Sequence, residues 1–107
     1  MILTRSEEML MLAVHKLQDE AYGVKIKKLL KELVGKDHAF GALFVQLDRL
    51  SEKGLLTSSL SDPTPERGGR SKRIYKLTSR GKKALIETKK VGEALWENVK
   101  GLGVEKA

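Results

Sequence analysis

A chain of 107 residues with 21 Lys and Arg against 14 Asp and Glu carries a net charge of +7. Its length suits one domain with a modest core, and the lack of cysteine excludes disulfide scaffolds, thiolate metal sites and cysteine catalysis. The longest apolar run, Met9 to Val14, is far short of the ~20 residues of a membrane span. With no signal-peptide pattern at the N-terminus, a soluble cytoplasmic protein without membrane contact is expected.

The first predicted helix runs from about Arg5 to Leu17. Thr4-Arg5-Ser6-Glu7 has the pattern of a capping box. The helix is apolar nearly all round, so it should be buried on more than one side, within the domain or against a second chain. The second spans about Ala21 to Leu33. Ile26, Leu29, Leu30 and Leu33 form its apolar stripe, with Lys25, Lys27, Lys28 and Lys31 off it. Gly35 is placed to stop it. The third starts near Asp37 or His38 and ends before Gly54. Its expected buried face is Phe40, Leu43, Phe44, Leu47 and Leu50, with Ala42, Val45, Gln46 and Arg49 opposite.

From Leu55 the period changes. Leu55 to Leu60 and Arg73 to Leu77 read as strands of a hairpin. Between them lie the loop formers Asp62, Pro63, Pro65, Gly68 and Gly69. Thr78 caps a last helix from about Ser79 to Lys100. One face of it carries Ala84, Leu85, Thr88, Val91, Gly92, Leu95, Val99 and Leu102, with Trp96 at the margin. So long a helix should project and need a second surface over its stripe. The tail from Gly101 to Ala107 is expected to fray.

The charge is not spread evenly. Residues 67–83 hold eight basic side chains (Arg67, Arg70, Lys72, Arg73, Lys76, Arg80, Lys82 and Lys83) and no acidic one, while the rest of the chain holds 13 basic and 14 acidic groups. Such a block points to a polyanion.

The order helix, helix, helix, strand, basic loop, strand, helix is the winged helix-turn-helix plan, mainly α with a small β-hairpin. A helix in the DNA major groove can read base edges while a basic hairpin reaches phosphates or the minor groove. Three stretches carry a more specific resemblance: Gly41 to Phe44, Leu47 to Leu56, and Arg67-Gly68-Gly69-Arg70 running on to Tyr75-Lys76-Leu77-Thr78-Ser79-Arg80-Gly81. With Tyr22-Gly23, they make the chain resemble the PadR family of transcriptional regulators, in its short form with one C-terminal helix. The resemblance covers residues 4 to about 85. It implies a homodimer that binds operator DNA and usually represses. It also implies dimerisation through the last helix with help from the first. Winged-helix regulators of this resemblance often respond to small aromatic molecules. The family often has tyrosine-proline where this chain has Phe44-Val45, so no contact of a tyrosine hydroxyl carries over.

The expected organisation is a winged DNA-binding unit, residues 1–78, and a dimerisation helix with its tail, residues 79–107. The expected DNA contacts are Tyr22, Lys25, His38, Ala42, Val45, Gln46, Arg49, Arg67, Arg70, Lys72 and Arg73. Gln46 can pair with adenine and Arg49 with guanine, while Ala42 and Val45 can touch a thymine methyl. Each has a plainer alternative. The basic block can be a solvated hairpin, the third helix an ordinary exposed face, Arg49 an ion-pair partner of Glu52 or Asp48, and Tyr22 a core ring. The expected dimer interface is Met9, Leu12, Leu85, Thr88, Val91, Gly92, Leu95, Trp96 and Val99. Trp96 is either an anchor there or a stacking surface for an aromatic effector. His15 reads as a packed or edge histidine. Nothing suggests catalysis, a metal or a cofactor. The alternative function is a winged-helix protein–protein module without sequence-specific DNA binding.

Overall fold

The computed structural model describes residues 1–61 and 71–103. Helix α1, Arg5–Leu17, opens on the expected capping box. The Thr4 hydroxyl accepts the Glu7 N–H at 3.2 Å and the Glu7 carboxylate accepts the Thr4 N–H at 2.9 Å. Leu10, Met11, Ala13 and Val14 are buried because α1 meets elements on several sides, as its all-round apolar pattern requires. Each large side chain among them contributes about 1.5–3 kcal/mol. A single 3₁₀ turn, Gln18–Glu20, leads to α2, Gly23–Val34.

Helix α2 starts two residues later than expected and buries Ile26 and Leu30. Its stripe is shorter than expected, since Leu29 is only partly buried and Leu33 is 53% exposed. The last turn overhangs the core. Gly35, at φ +71°, ends the helix in the left-handed conformation and donates to the Lys31 carbonyl at 2.9 Å.

Helix α3, Phe40–Glu52, begins later than Asp37 or His38. Asp37 is the reason: its carboxylate is paired with Lys27 and Lys31 on α2, so it does not cap α3. Only Leu43, Leu47 and Leu50 are fully buried. Phe40 and Phe44, expected in the core, are 42% and 41% exposed. The leucine ridge alone fills the space beneath the helix, and the two rings fall on its flank.

Strands β1, Leu56–Leu60, and β2, Arg73–Leu77, form one antiparallel hairpin. Leu56 pairs with Leu77, Ser58 with Tyr75 and Leu60 with Arg73. Leu56 and Tyr75 are buried and Leu77 is half-buried on the inner face. Leu55 is buried just ahead of the strand instead of beginning it. On the other edge of β2, the Tyr75 N–H donates to the Ala21 carbonyl at 2.9 Å, so the α1–α2 connection acts as a minimal third strand. Past the last rung, Ser61 N–H donates to the Lys72 carbonyl at 2.7 Å and Lys72 N–H to Ser61 Oγ at 2.9 Å.

Helix α4, Ser79–Trp96, is four residues shorter than expected. Glu97 leaves the helical region (φ −59°, ψ 130°) and Asn98 is left-handed at φ +60°. Beyond Trp96 no core lies beneath the chain to hold another turn. At the other end, Thr78 is a knot. Its hydroxyl accepts the Gly81 N–H at 3.0 Å and donates to the Gly54 carbonyl at 2.6 Å, while its own N–H donates to the Leu55 carbonyl at 3.1 Å. A Cβ on Gly81 would sit 2.2 Å from the Leu55 carbonyl oxygen. The Tyr-x-Leu-Thr-x-x-Gly signature thus joins the hairpin, the end of α3 and the start of α4. The result is a mostly helical winged helix with a two-stranded hairpin. Among the described residues no helix is long and apolar enough to cross a membrane.

Candidate nucleic-acid interface

The two helices of the helix-turn-helix differ from α1 in how they begin. Helix α1 has a capping box and Glu7 and Glu8 in its first turn. Helices α2 and α3 have neither a side-chain cap nor an acidic residue in the first turn. Their leading N–H groups and the positive end of the helix dipole are left for an anion.

Around the start of α2 the structure brings Tyr22 together with Lys72 and Arg73, some fifty residues further along the chain. They border one open cleft of ≈ 340 Å³ with Gly23, Val24, Phe40 and Phe44. Tyr22 is half-buried, and the Lys72 ammonium sits 3.7 Å from its ring centroid. A cation over an aromatic face is attracted by the ring quadrupole, by about 0.5–1 kcal/mol at an exposed site. Arg73 is exposed and its guanidinium donates to Ser58 Oγ at 3.0 Å. Sequence reasoning placed both Phe40 and Phe44 in the core and so missed them here. Gly23 accounts for the position of Phe44: a Cβ at residue 23 would lie 2.7 Å from Phe44 Cζ. The glycine of Tyr22-Gly23 makes room for a ring.

On the other flank of α3, Gln46 and Arg49 border a smaller cleft of ≈ 210 Å³ with Thr4, Glu7 and Lys53. Lys53 Nζ donates to the Glu7 carboxylate at 2.6 Å. That hydrogen bond, with the capping Thr4 N–H next in weight, holds the Glu7 carboxyl below its ordinary value of 4.5. Among the described residues Arg49 is exposed and pairs with neither Glu52 nor Asp48. Ala42 and Val45 are exposed on the outer side of α3, while Lys25 and His38 are half-buried at the start of α2 and in the α2–α3 turn. Arg67 and Arg70 lie outside the described residues, as do the prolines and glycines expected in the loop.

The expected interface residues also have distinct environments. Met9 and Leu85 pack against the chain's own core, and the Thr88 hydroxyl accepts the Leu3 N–H at 2.9 Å. Val91 and Gly92 are half-buried, and Leu12, Leu95, Trp96 and Val99 are exposed. Ile2, Leu3, Thr88, Val91, Leu95 and Trp96 border an open cleft of ≈ 500 Å³ between the N-terminal segment and α4. His15 is exposed on α1, at the edge of a cleft near Tyr75. Burial raises the Tyr75 phenol above its ordinary value, and nearby Asp48 adds to the effect.

A model of the Transcriptional regulator PadR-like family matches residues 11–87. The chain is similar to the crystallographic PadR-like transcription factor from Bacteroides fragilis, with 30% identity and a TM-score of 0.73. The match covers 86% of this chain and 84% of that one. It is similar to RosR of H. salinarum, with 27% identity, a TM-score of 0.67 and coverage of 92% and 81%. A PadR family transcriptional regulator from Eggerthella lenta is 26% identical, with a TM-score of 0.67 and coverage of 85% and 77%. No curated protein matches the sequence. With more than half of the chain inside the family match, and with a winged helix whose α2 and α3 begin uncapped beside basic side chains, the chain belongs to the PadR-like family of transcriptional regulators and is a DNA-binding regulator, not an enzyme.

Proposed function

We propose that the chain works as a homodimer that binds a two-fold related, palindromic operator and represses transcription. Residues 1–78 form the DNA-binding part and residues 79–107 the dimerisation helix and tail. The observation that carries this reading is the outer half of α4, where Leu95 is 72% and Trp96 64% exposed in a single protomer. Large apolar patches on a soluble surface mark interaction sites. A second copy of α4, helped by Leu12 on α1, would cover them.

In such a dimer the two α3 helices enter successive major grooves about 34–36 Å apart. Ala42, Val45, Gln46 and Arg49 face the bases. His38, Tyr22, Lys25 and the uncapped start of α2 meet phosphates. Arg67, Arg70, Lys72 and Arg73 of the wing contact flanking DNA. A small aromatic effector between the protomers, stacked on Trp96, changes their relative angle and releases the DNA.

Selection of duplexes from a random pool, with sedimentation of the protein alone, tests this reading. An enriched palindrome and a dimer are expected. A monomer, or a pool with no enrichment, would overturn it and favour the protein–protein module. Titration with aromatic compounds should quench the single tryptophan and weaken operator binding. If no compound in a broad set does either, the effector step is lost while the operator reading stands.

A further inference from the structure

The cleft beside α2 has a floor of an unexpected kind for a surface that meets a polyanion. Phe40 and Phe44 lie at i and i+4 on α3, so they share one flank. Their rings stack with centroids 6.1 Å apart and planes 19° from parallel. Val24, 60% exposed, extends the apolar surface onto α2. Cations stand around it: Lys72 and Arg73 on the wing side, and Lys27 on α2, whose ammonium is 5.4 Å from the Phe40 centroid. Lys28 and Lys31 line the adjoining cleft, and Asp37 pairs with Lys27 and Lys31 and so offsets part of this charge. The apolar floor and basic rim are complementary to a nucleic-acid groove, where phosphates edge a strip that carries the thymine C5-methyl groups.

We infer that Phe40 and Phe44 determine sequence preference, by packing against thymine methyl groups of the operator. This rests on the operator-binding reading above and deepens it. Gly23 leaves the space against α2 that the Phe44 ring occupies, so the ring lies along that helix while the residue stays 41% exposed and open to contact. Apolar side chains, Phe among them, suit the thymine methyl, and burying one methyl is worth about three- to fivefold in affinity. Gln46 and Arg49, on the opposite flank, read polar base edges. The two flanks of one helix then read different chemistry.

The test uses a selected duplex in which each thymine in turn is replaced by deoxyuridine, which removes only the methyl. The wild-type protein should lose about three- to fivefold in affinity at one or more thymines of each half-site. Phe40→Ala or Phe44→Ala should bind the thymine and uridine duplexes equally at those positions. Phe44→Leu, which keeps an apolar contact, should retain part of the discrimination, and Ile86→Ala all of it. Equal wild-type binding of every uridine duplex would overturn the inference, even if the alanine variants fold poorly. So would alanine variants that keep the wild-type loss. In both cases the operator reading survives. If no duplex is bound above the random pool, the operator reading itself falls and the inference with it.

Discussion

The two ends of α4 are held in opposite ways. At its start, Gly81 and Ala84 are buried, and Thr78 caps the helix at Gly81 and donates two hydrogen bonds to the segment after α3, at Gly54 and Leu55. At its end, Leu95 and Trp96 are exposed. One element is therefore core at one end and bare at the other, with no break between them. A stiff helix rooted in this way sets the direction in which its apolar end points relative to α3. What the root contributes is geometry, and what the tip contributes is surface.

The largest expected effect comes from breaking the root. Gly81→Ala places a Cβ on the Leu55 carbonyl oxygen, a backbone atom that cannot swing aside. It should cost about 3 kcal/mol, at the upper end of overpacking effects, read as a lower denaturant midpoint. An unchanged midpoint would mean that the root tolerates movement.

Attacking the tip should leave the fold alone. Leu95→Ala is expected to weaken self-association by about 2 kcal/mol per dimer, roughly thirtyfold in Kd, with the unfolding of the isolated chain unchanged. Sedimentation at graded concentrations reads it. A stability loss without a change in association would reverse the assignment of root and tip.

Thr78→Ala removes the cap and should cost about 1 kcal/mol, most of which Thr78→Ser should restore. The smallest effect lies at the junction of α1 and α3. The Glu7 carboxyl titrates below its ordinary value of 4.5 in the folded chain, chiefly through Lys53. Its contribution is therefore complete above the ordinary carboxylate range. It fades as pH falls through 4.5 towards the lowered folded value, because the unfolded chain takes up the proton first. Glu7→Gln should flatten that part of an acid titration followed by circular dichroism, and an unchanged profile would count against the pairing.

Features governed by near neighbours were legible in the sequence: the Thr4–Glu7 box, the Thr78 cap, the stops at Gly35 and Gly54, and the extent of α1 and β2. Features governed by distant parts of the chain were not. Asp37 looked like a helix start because its pairing with α2 lysines depends on how two helices meet. Phe40 and Phe44 looked like core because phenylalanine usually is, and only the fit of Leu43, Leu47 and Leu50 beneath α3 shows that no room remains for them. Among the site residues, each type and its chemistry could be read off one by one. That Tyr22 shares a cleft with Lys72 and Arg73, while Gln46 and Arg49 border another, depends on where the hairpin returns against α2.

Gly23 and Phe44 have a consequence for how this chain can change. The ring occupies the space that any side chain at residue 23 would need. A larger residue at position 23 requires the exposed Phe44 ring to rotate away from α2. The two sites, on separate helices, are coupled: what fits at one depends on where the side chain at the other lies.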